Sequence, residues 1–201
     1  MSFETVKKFE EAVADFYGAP YAVAVDSCTH GMELCLRRAR SRGVGIQHVE
    51  IPCRTYLSVP MMVDKVGMSW DWTEEEWEDY YFIGNTNVID AAVFWQESGY
   101  VPETFMCLSF QFQKHLSLGR GGMILTDDKD EALVLKKMSY DGRMPNVPWR
   151  DQNVDTMGYH YYMTPETAQL GLDKLEECIN TKPRKWSLTD WPDLRDMEIF
   201  K

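Results

Sequence analysis

The chain has 201 residues, enough for one large domain or two small ones with a full apolar core. Hydrophobic residues make up 44% and charged residues 26%, which excludes wholesale disorder. With 32 acidic against 21 basic side chains the net charge is -11, a balance that repels phosphate backbones and anionic membranes and disfavours nucleic acid as main partner.

In chain order, Val6 to Tyr17 carries apolar residues at Val6, Phe9, Val13, Phe16 and Tyr17, the spacing of one helical face, and Gly18-Ala19-Pro20 ends it. Tyr21 to Val25 reads as a buried strand and Asp26 to Gly31 as a polar turn. Met32 to Arg40 resumes the helical period, closed by basic residues that suit the negative end of a helix dipole. Strand, polar turn and helix in that order are an α/β signal. His48 to Pro52 predicts a second strand, Tyr56 to Lys65 a helix, and Met68 to Trp72 another strand. The acidic run Thr73 to Asp79 predicts a solvated helix face or first turn. Tyr80 to Ile83, Asn87 to Asp90, Phe105 to Phe110 and Gly121 to Thr126 follow as strands, then Glu131 to Ser139 as a helix. Thr164 to Ile179 predicts an amphipathic helix with Thr164 as N-cap and Pro165 at its first position. The tail after Lys182 has no clean period, and its Trp186, Trp191 and Phe200 suit either a subunit interface or core packing.

The N-terminal stretch mixes acids and bases without an apolar core, so no secretory signal is expected, and no apolar run is long enough to span a bilayer. Five cysteines form no CxxC pair and four histidines no HxxxH spacing, which predicts neither a disulfide framework nor a zinc site. A reduced, cytoplasmic protein is the expectation.

Four pieces carry chemistry: a strand ending in DSCTHG, a strand ending in Asp90, the segment SFQFQK ending at Lys114, and the loop Gly119 to Gly122. In an open α/β sheet, ligands bind beyond the carboxyl ends of the strands. The Ser27 and Thr29 hydroxyls and the N–H groups that open the following helix either hold a phosphate or serve as an ordinary N-cap. Asp90 closes the apolar pair Val88-Ile89, so it either pairs with a cation or protonated nitrogen or caps the next element. Lys114 lies in an otherwise uncharged stretch beside His115. There it is either a nucleophile of lowered pKa or a packed stem with a solvated head.

Taken together, these pieces resemble the DegT/DnrJ/StrS family of pyridoxal phosphate-dependent sugar aminotransferases, from about Phe3 to Glu177. The segments that carry the resemblance are GAPYAVAVDSCTHGMELCL, IPCRTYLSVPMMVDKVG, VIDAA, SFQFQKHLSLGRGGMILTDD, DGR and GYHYYMTPETAQLGLDKLEE. It implies an aspartate-aminotransferase-like α/β large domain over 1–182, a mostly parallel sheet flanked by helices and reduced in size, followed by a tail over 183–201. It also implies an aminotransferase acting on a keto-sugar nucleotide, with glutamate as amino donor, in a homodimer. Lys114 would form the Schiff base with the cofactor aldehyde and shuttle the proton, and Asp90 would pair with the protonated pyridine nitrogen. Ser27, Cys28, Thr29 and Ser109 would hold the phosphate and Tyr56 would cover the ring, while His160 lies in the segment that reaches the neighbouring subunit's cofactor. The chain departs from the family at Val93, where glutamine is usual, at Tyr162 in place of arginine, and at Arg120 in place of an acid. Against the family it reads as shorter between Trp72 and Asp90, and the resemblance leads to the expectation that the small domain has no counterpart in the residues after Glu177. These departures motivate a second expectation, a catalytically impaired descendant that binds the cofactor or a sugar nucleotide and acts as a partner or regulatory protein.

Overall fold

The computed structural model describes residues 2–43 and 45–201. Helix α1 (Phe3–Tyr17) starts where the Ser2 hydroxyl accepts from Glu4 N–H and stops at Gly18, whose φ of 72° lets its N–H reach the Ala14 and Asp15 carbonyls. Strand β1 (Tyr21–Val25) follows, then α2 (Cys28–Ser41), β2 (His48–Pro52), α3 (Ser58–Val66) and β3 (Ser69–Thr73). Next come β4 (Tyr81–Phe82), β5 (Val88–Asp90), β6 (Phe105–Ser109), β7 (Gly122–Thr126), α4 (Lys129–Ser139) and α5 (Pro165–Ile179).

Strands β1-β7-β6-β5-β4 form one sheet in that order, and β2 pairs with β3 in a second. The α/β class is as expected, but the sheet is mixed. Only β5–β6 and β2–β3 run parallel, because β7 returns between β1 and β6 and β4 folds back on β5 as a hairpin. That hairpin turns through Gly84 at φ 54°. A Cβ there would lie 2.8 Å from Glu50 N and 3.1 Å from Val49 Cα, so only glycine lets the turn rest on β2.

The pleat sends alternate residues to opposite faces. Val23, Val25, Cys107 and Ile124 pack with residues of α2, α3 and α4, while Ala24, Met106, Leu108, Met123 and Leu125 pack beneath α1 and α5. On the second face Gly171 of α5 leaves the space that the Phe9 ring fills, since a Cβ there would lie 2.5 Å from it. The basic residues ending α2 do more than meet the dipole. Arg38 and Arg42 clasp the buried Glu131 of α4, and Arg37 and Lys65 hold the buried Glu33.

Two expectations for local structure are corrected. Helix α2 begins at Cys28, one turn earlier than expected, because Ser27 caps it by accepting from His30 N–H at 3.2 Å. Gly31 then suits the helix by bringing it close to the sheet, where a Cβ would sit 3.2 Å from Ile124. The acidic run 73–79 forms no helix: Trp77 turns inward, buried, and its indole N–H donates to the Arg54 carbonyl at 2.8 Å. Thr164 caps α5 as expected, accepting from Thr167 N–H. No described helix is long and apolar enough to cross a membrane.

Candidate active site

A cavity of about 390 Å³ opens at the carboxyl ends of β1, β5 and β6, within the range of small-molecule sites. Ser27, Cys28, Thr29, Tyr56, Asp90, Ser109 and Lys114 all line it. Seven of the eight residues singled out from the sequence, scattered from position 27 to 114, are thus brought together. The eighth, His160, lies outside the lining, exposed, with its Nδ1 3.1 Å from Asp141 Oδ2.

At one end of the cavity the first turn of α2 presents its free N–H groups. The Thr29 hydroxyl shares a 2.7 Å hydrogen bond with Ser58, and β7 crosses so closely that a Cβ on Gly122 would lie 2.5 Å from Cys28 N. That glycine lets the start of β7 and the N-terminus of α2 share one corner, a geometry suited to an anion. Outside the corner, Arg120 donates to Asp26 at 2.7 Å and Asp26 meets His30 Nδ1 at 2.6 Å. The His30 ring stacks on Tyr161 with centroids 3.7 Å apart.

At the other end sits Asp90, buried at the end of β5. Its Oδ2 accepts from the Tyr81 hydroxyl at 2.7 Å, and its Oδ1 accepts from Ala92 N–H at 3.0 Å and from the more distant Cys28 thiol. Burial pushes the carboxyl above its usual range, and the donors from Tyr81 and Ala92, with Lys114 nearby, pull it back. The Tyr81 phenol is held well above its ordinary pKa by burial and by the Asp90 charge, so it stays a donor. Its oxygen also meets the Thr55 hydroxyl. Burial and Asp90 likewise push the Cys28 thiol up, which makes it a neutral lining group and not a nucleophile.

Lys114 faces the same cavity. Burial lowers its ammonium pKa, opposed by the Asp90 charge. The aperiodic tail closes this side: Trp186, Asp190, Trp191 and Leu194 all line the cavity. Trp191 is buried against Trp77, with ring centroids 5.7 Å apart. Of the two placements open to the tail aromatics, core packing describes Trp191, and Phe200 packs edge-on to Trp72. Sequence reasoning missed Thr55, Tyr81, Trp77 and the tail. Tyr81 carried one weak signal, a hydroxyl in an apolar strand near the Asp90 strand.

Known proteins bear on this arrangement. The family model described as the DegT/DnrJ/EryC1/StrS aminotransferase family matches residues 1–74 and 96–191. Asp90 falls in the interval between the two matched stretches, so its place in the site rests on geometry. The spore coat polysaccharide biosynthesis protein SpsC of Bacillus subtilis is 25% identical over 232 residues, covering 90% of this chain and 58% of its own length. AtS13 of Actinomadura melliaura superposes with a TM-score of 0.75 at 19% identity, over 88% of this chain and 60% of that one. DesI, solved in the presence of its TDP-sugar product, gives a TM-score of 0.66 at 19% identity, over 88% of this chain and 54% of that one. The chain thus spans less than two thirds of the length of these relatives.

Proposed function

Since the chain belongs to the DegT/DnrJ/EryC1/StrS aminotransferase family, we propose that it binds pyridoxal phosphate and transfers an amino group, from glutamate, to the keto group of a nucleotide-linked sugar. The observation that carries this reading is the meeting of a buried carboxylate, Asp90, and a desolvated amine, Lys114, in one cavity whose far corner is a helix N-terminus. These residues fit the cofactor at three points. The α2 corner, with Gly122 leaving room, suits a phosphate, the Asp90 carboxylate suits a protonated ring nitrogen, and the Lys114 amine suits an aldehyde.

When bound, pyridoxal phosphate supplies an electron sink that acidifies the carbon bearing the amino group. The rest of the chemistry falls to the chain. The N–H groups of the first α2 turn, with the Ser27, Thr29 and Ser109 hydroxyls, anchor the phosphate end. Asp90, whose Tyr81 and Ala92 donors oppose the effect of burial, would hold a proton on the ring nitrogen. Tyr56 covers one ring face. Lys114 would hold the cofactor aldehyde, and its amine would move a proton at the substrate carbon as general acid and base. His160, exposed and outside the cavity, is assigned to the cofactor phosphate of a second copy in a homodimer. A cytoplasmic setting accords with five free cysteines. The nucleotide-sugar assignment draws support from DesI, solved with a TDP-sugar product.

The test is the visible absorption of the purified chain with pyridoxal phosphate, then with glutamate. The expected result is a band of lysine-bound cofactor that survives desalting, is absent in Lys114→Ala, and fades on adding glutamate. A band in Lys114→Ala would sink the lysine assignment. A stable band that glutamate leaves unchanged would favour the binding-only reading, which Val93 in the cavity lining motivates.

A further inference from the structure

The segment after α5 contains only short 3-10 turns, yet it is fixed to the domain at defined points. Arg54 donates to the Trp191 carbonyl at 2.9 Å, Leu194 N–H donates to the Cys53 carbonyl at 2.9 Å, and the Leu194 side chain is fully buried. This anchoring sets two indoles side by side, ring centroids 5.4 Å apart and planes 15° from parallel. Lys114 Nζ lies 4.5 Å from the Trp186 centroid and 5.5 Å from the Trp191 centroid. Among the described residues the ammonium has no direct hydrogen-bond or salt-bridge partner, and both indole faces lie within cation–π reach of it.

We propose that Trp186 and Trp191 form an aromatic seat for the Lys114 ammonium, which makes the segment after α5 a positioning element of the site. An ammonium is drawn to the negative face of an indole, the more so when water is excluded. The charged and titratable groups facing Lys114 do not by themselves supply that seat. Asp90 attracts it from the end of β5, the Cys28 thiol from α2 is neutral, and Arg184 in the tail repels it. Arg184 itself lies 4.1 Å from the Trp186 centroid and is paired with Asp190, while Arg120 at the rim is paired with Asp26. Remove the indoles, and burial and Arg184 act on the amine against Asp90 alone. The inference rests on the proposed function only for its catalytic meaning, which is that the seat fixes where the amine lies when no cofactor is joined to it and how firmly it then keeps its proton.

The test uses the full chain without cofactor. Lysines are methylated with 13C, and the Lys114 resonance is identified by its loss in Lys114→Arg and followed through a pH titration. In Trp186→Leu the Lys114 midpoint is expected to fall by about 0.4–1.5 pH units, the range a cation–π contact spans. Trp186→Phe, which keeps a π face, should restore most of the shift. Trp186 is only half-buried, so folding should survive, which circular dichroism checks. Should Trp186→Leu not fold, Trp186→Phe and Trp191→Phe are titrated instead, with a fall of a few tenths of a unit expected from the weaker Phe face. A midpoint that stays put or rises in a folded variant overturns the seat. The cofactor reading fails separately: a chain that forms no band with pyridoxal phosphate refutes that reading and leaves this titration as informative as before.

Discussion

Replacing Tyr81 with Phe keeps the ring that packs against Trp77 and removes only the hydroxyl that donates to Asp90 and meets Thr55. A hydrogen bond to a charged group contributes about 1.5–3 kcal/mol. Asp90 is buried, its other oxygen is already occupied by Ala92 N–H, and water is poorly placed to substitute. Losing the donor raises the carboxyl pKa further above its usual value, since burial is then less opposed. The ionised form that pairs with a ring nitrogen becomes rarer, and pyridoxal phosphate affinity should fall about 10- to 100-fold at neutral pH. The loss on acidification should also begin at higher pH in the variant than in the parent. Equilibrium titration of the visible band against added cofactor, repeated from pH 5 to 9, reads both effects. Unchanged affinity together with an unchanged pH profile would refute the assignment of Tyr81 as the residue that opposes the effect of burial on Asp90. Thr55→Val, one hydroxyl further out, should show the same trend at reduced size.

Three other outcomes follow from the same physics. Asp90→Asn should abolish cofactor binding yet raise the melting temperature of the cofactor-free chain at pH 7. The native carboxyl pKa is raised, so the parent loses stability as pH climbs from the unfolded value of about 3.9 through the native one, and the gap between the two proteins should close on acidification. Gly122→Ala drives a Cβ to within 2.5 Å of Cys28 N, which backbone shift alone can relieve; a cost of about 1–3 kcal/mol in urea unfolding is expected, with weaker binding of inorganic phosphate. Glu131→Ala strands two arginines that the buried carboxylate now holds, Arg42 more exposed than Arg38, and should lower stability by roughly 1–3 kcal/mol with little sensitivity to salt.

Much of the frame was legible in the chain because its signals are local. Apolar periods marked α1 and α5, a threonine marked the start of α5, and the spacing from Ser109 to Lys114 carried the site motif. Asp90 could be singled out because a carboxylate ending an apolar run stands out on its own. Its partner could not: Tyr81 reaches Asp90 only through a two-residue strand that folds back antiparallel, and such a register depends on the hairpin turn at Gly84. The mixed direction of the sheet was illegible for the same reason, since strand order is a long-range property. The acidic run misled because charge dominates its composition while a single residue, Trp77, fixes its path. Tail residues Trp186 and Trp191 flank a single 3-10 turn, Leu188–Asp190, too short for a period to show a buried face.

Gly84 has a further consequence for how the molecule breathes. Strands β2 and β3 share no ladder with the five-stranded sheet, and the hairpin resting on β2 at that glycine is one of the places where the two meet. The connection leaving β2 carries Thr55, Tyr56 and Ser58, one wall of the cavity, whereas Asp90, Ser109 and Lys114 belong to the other sheet and its loops. The cavity therefore lies along a seam between two cooperative units, of which the smaller should exchange its amide protons through openings of lower free energy than global unfolding. A ligand touching both walls would stitch that seam, slowing exchange most across residues 48–73, and Gly84→Ala would loosen it from within.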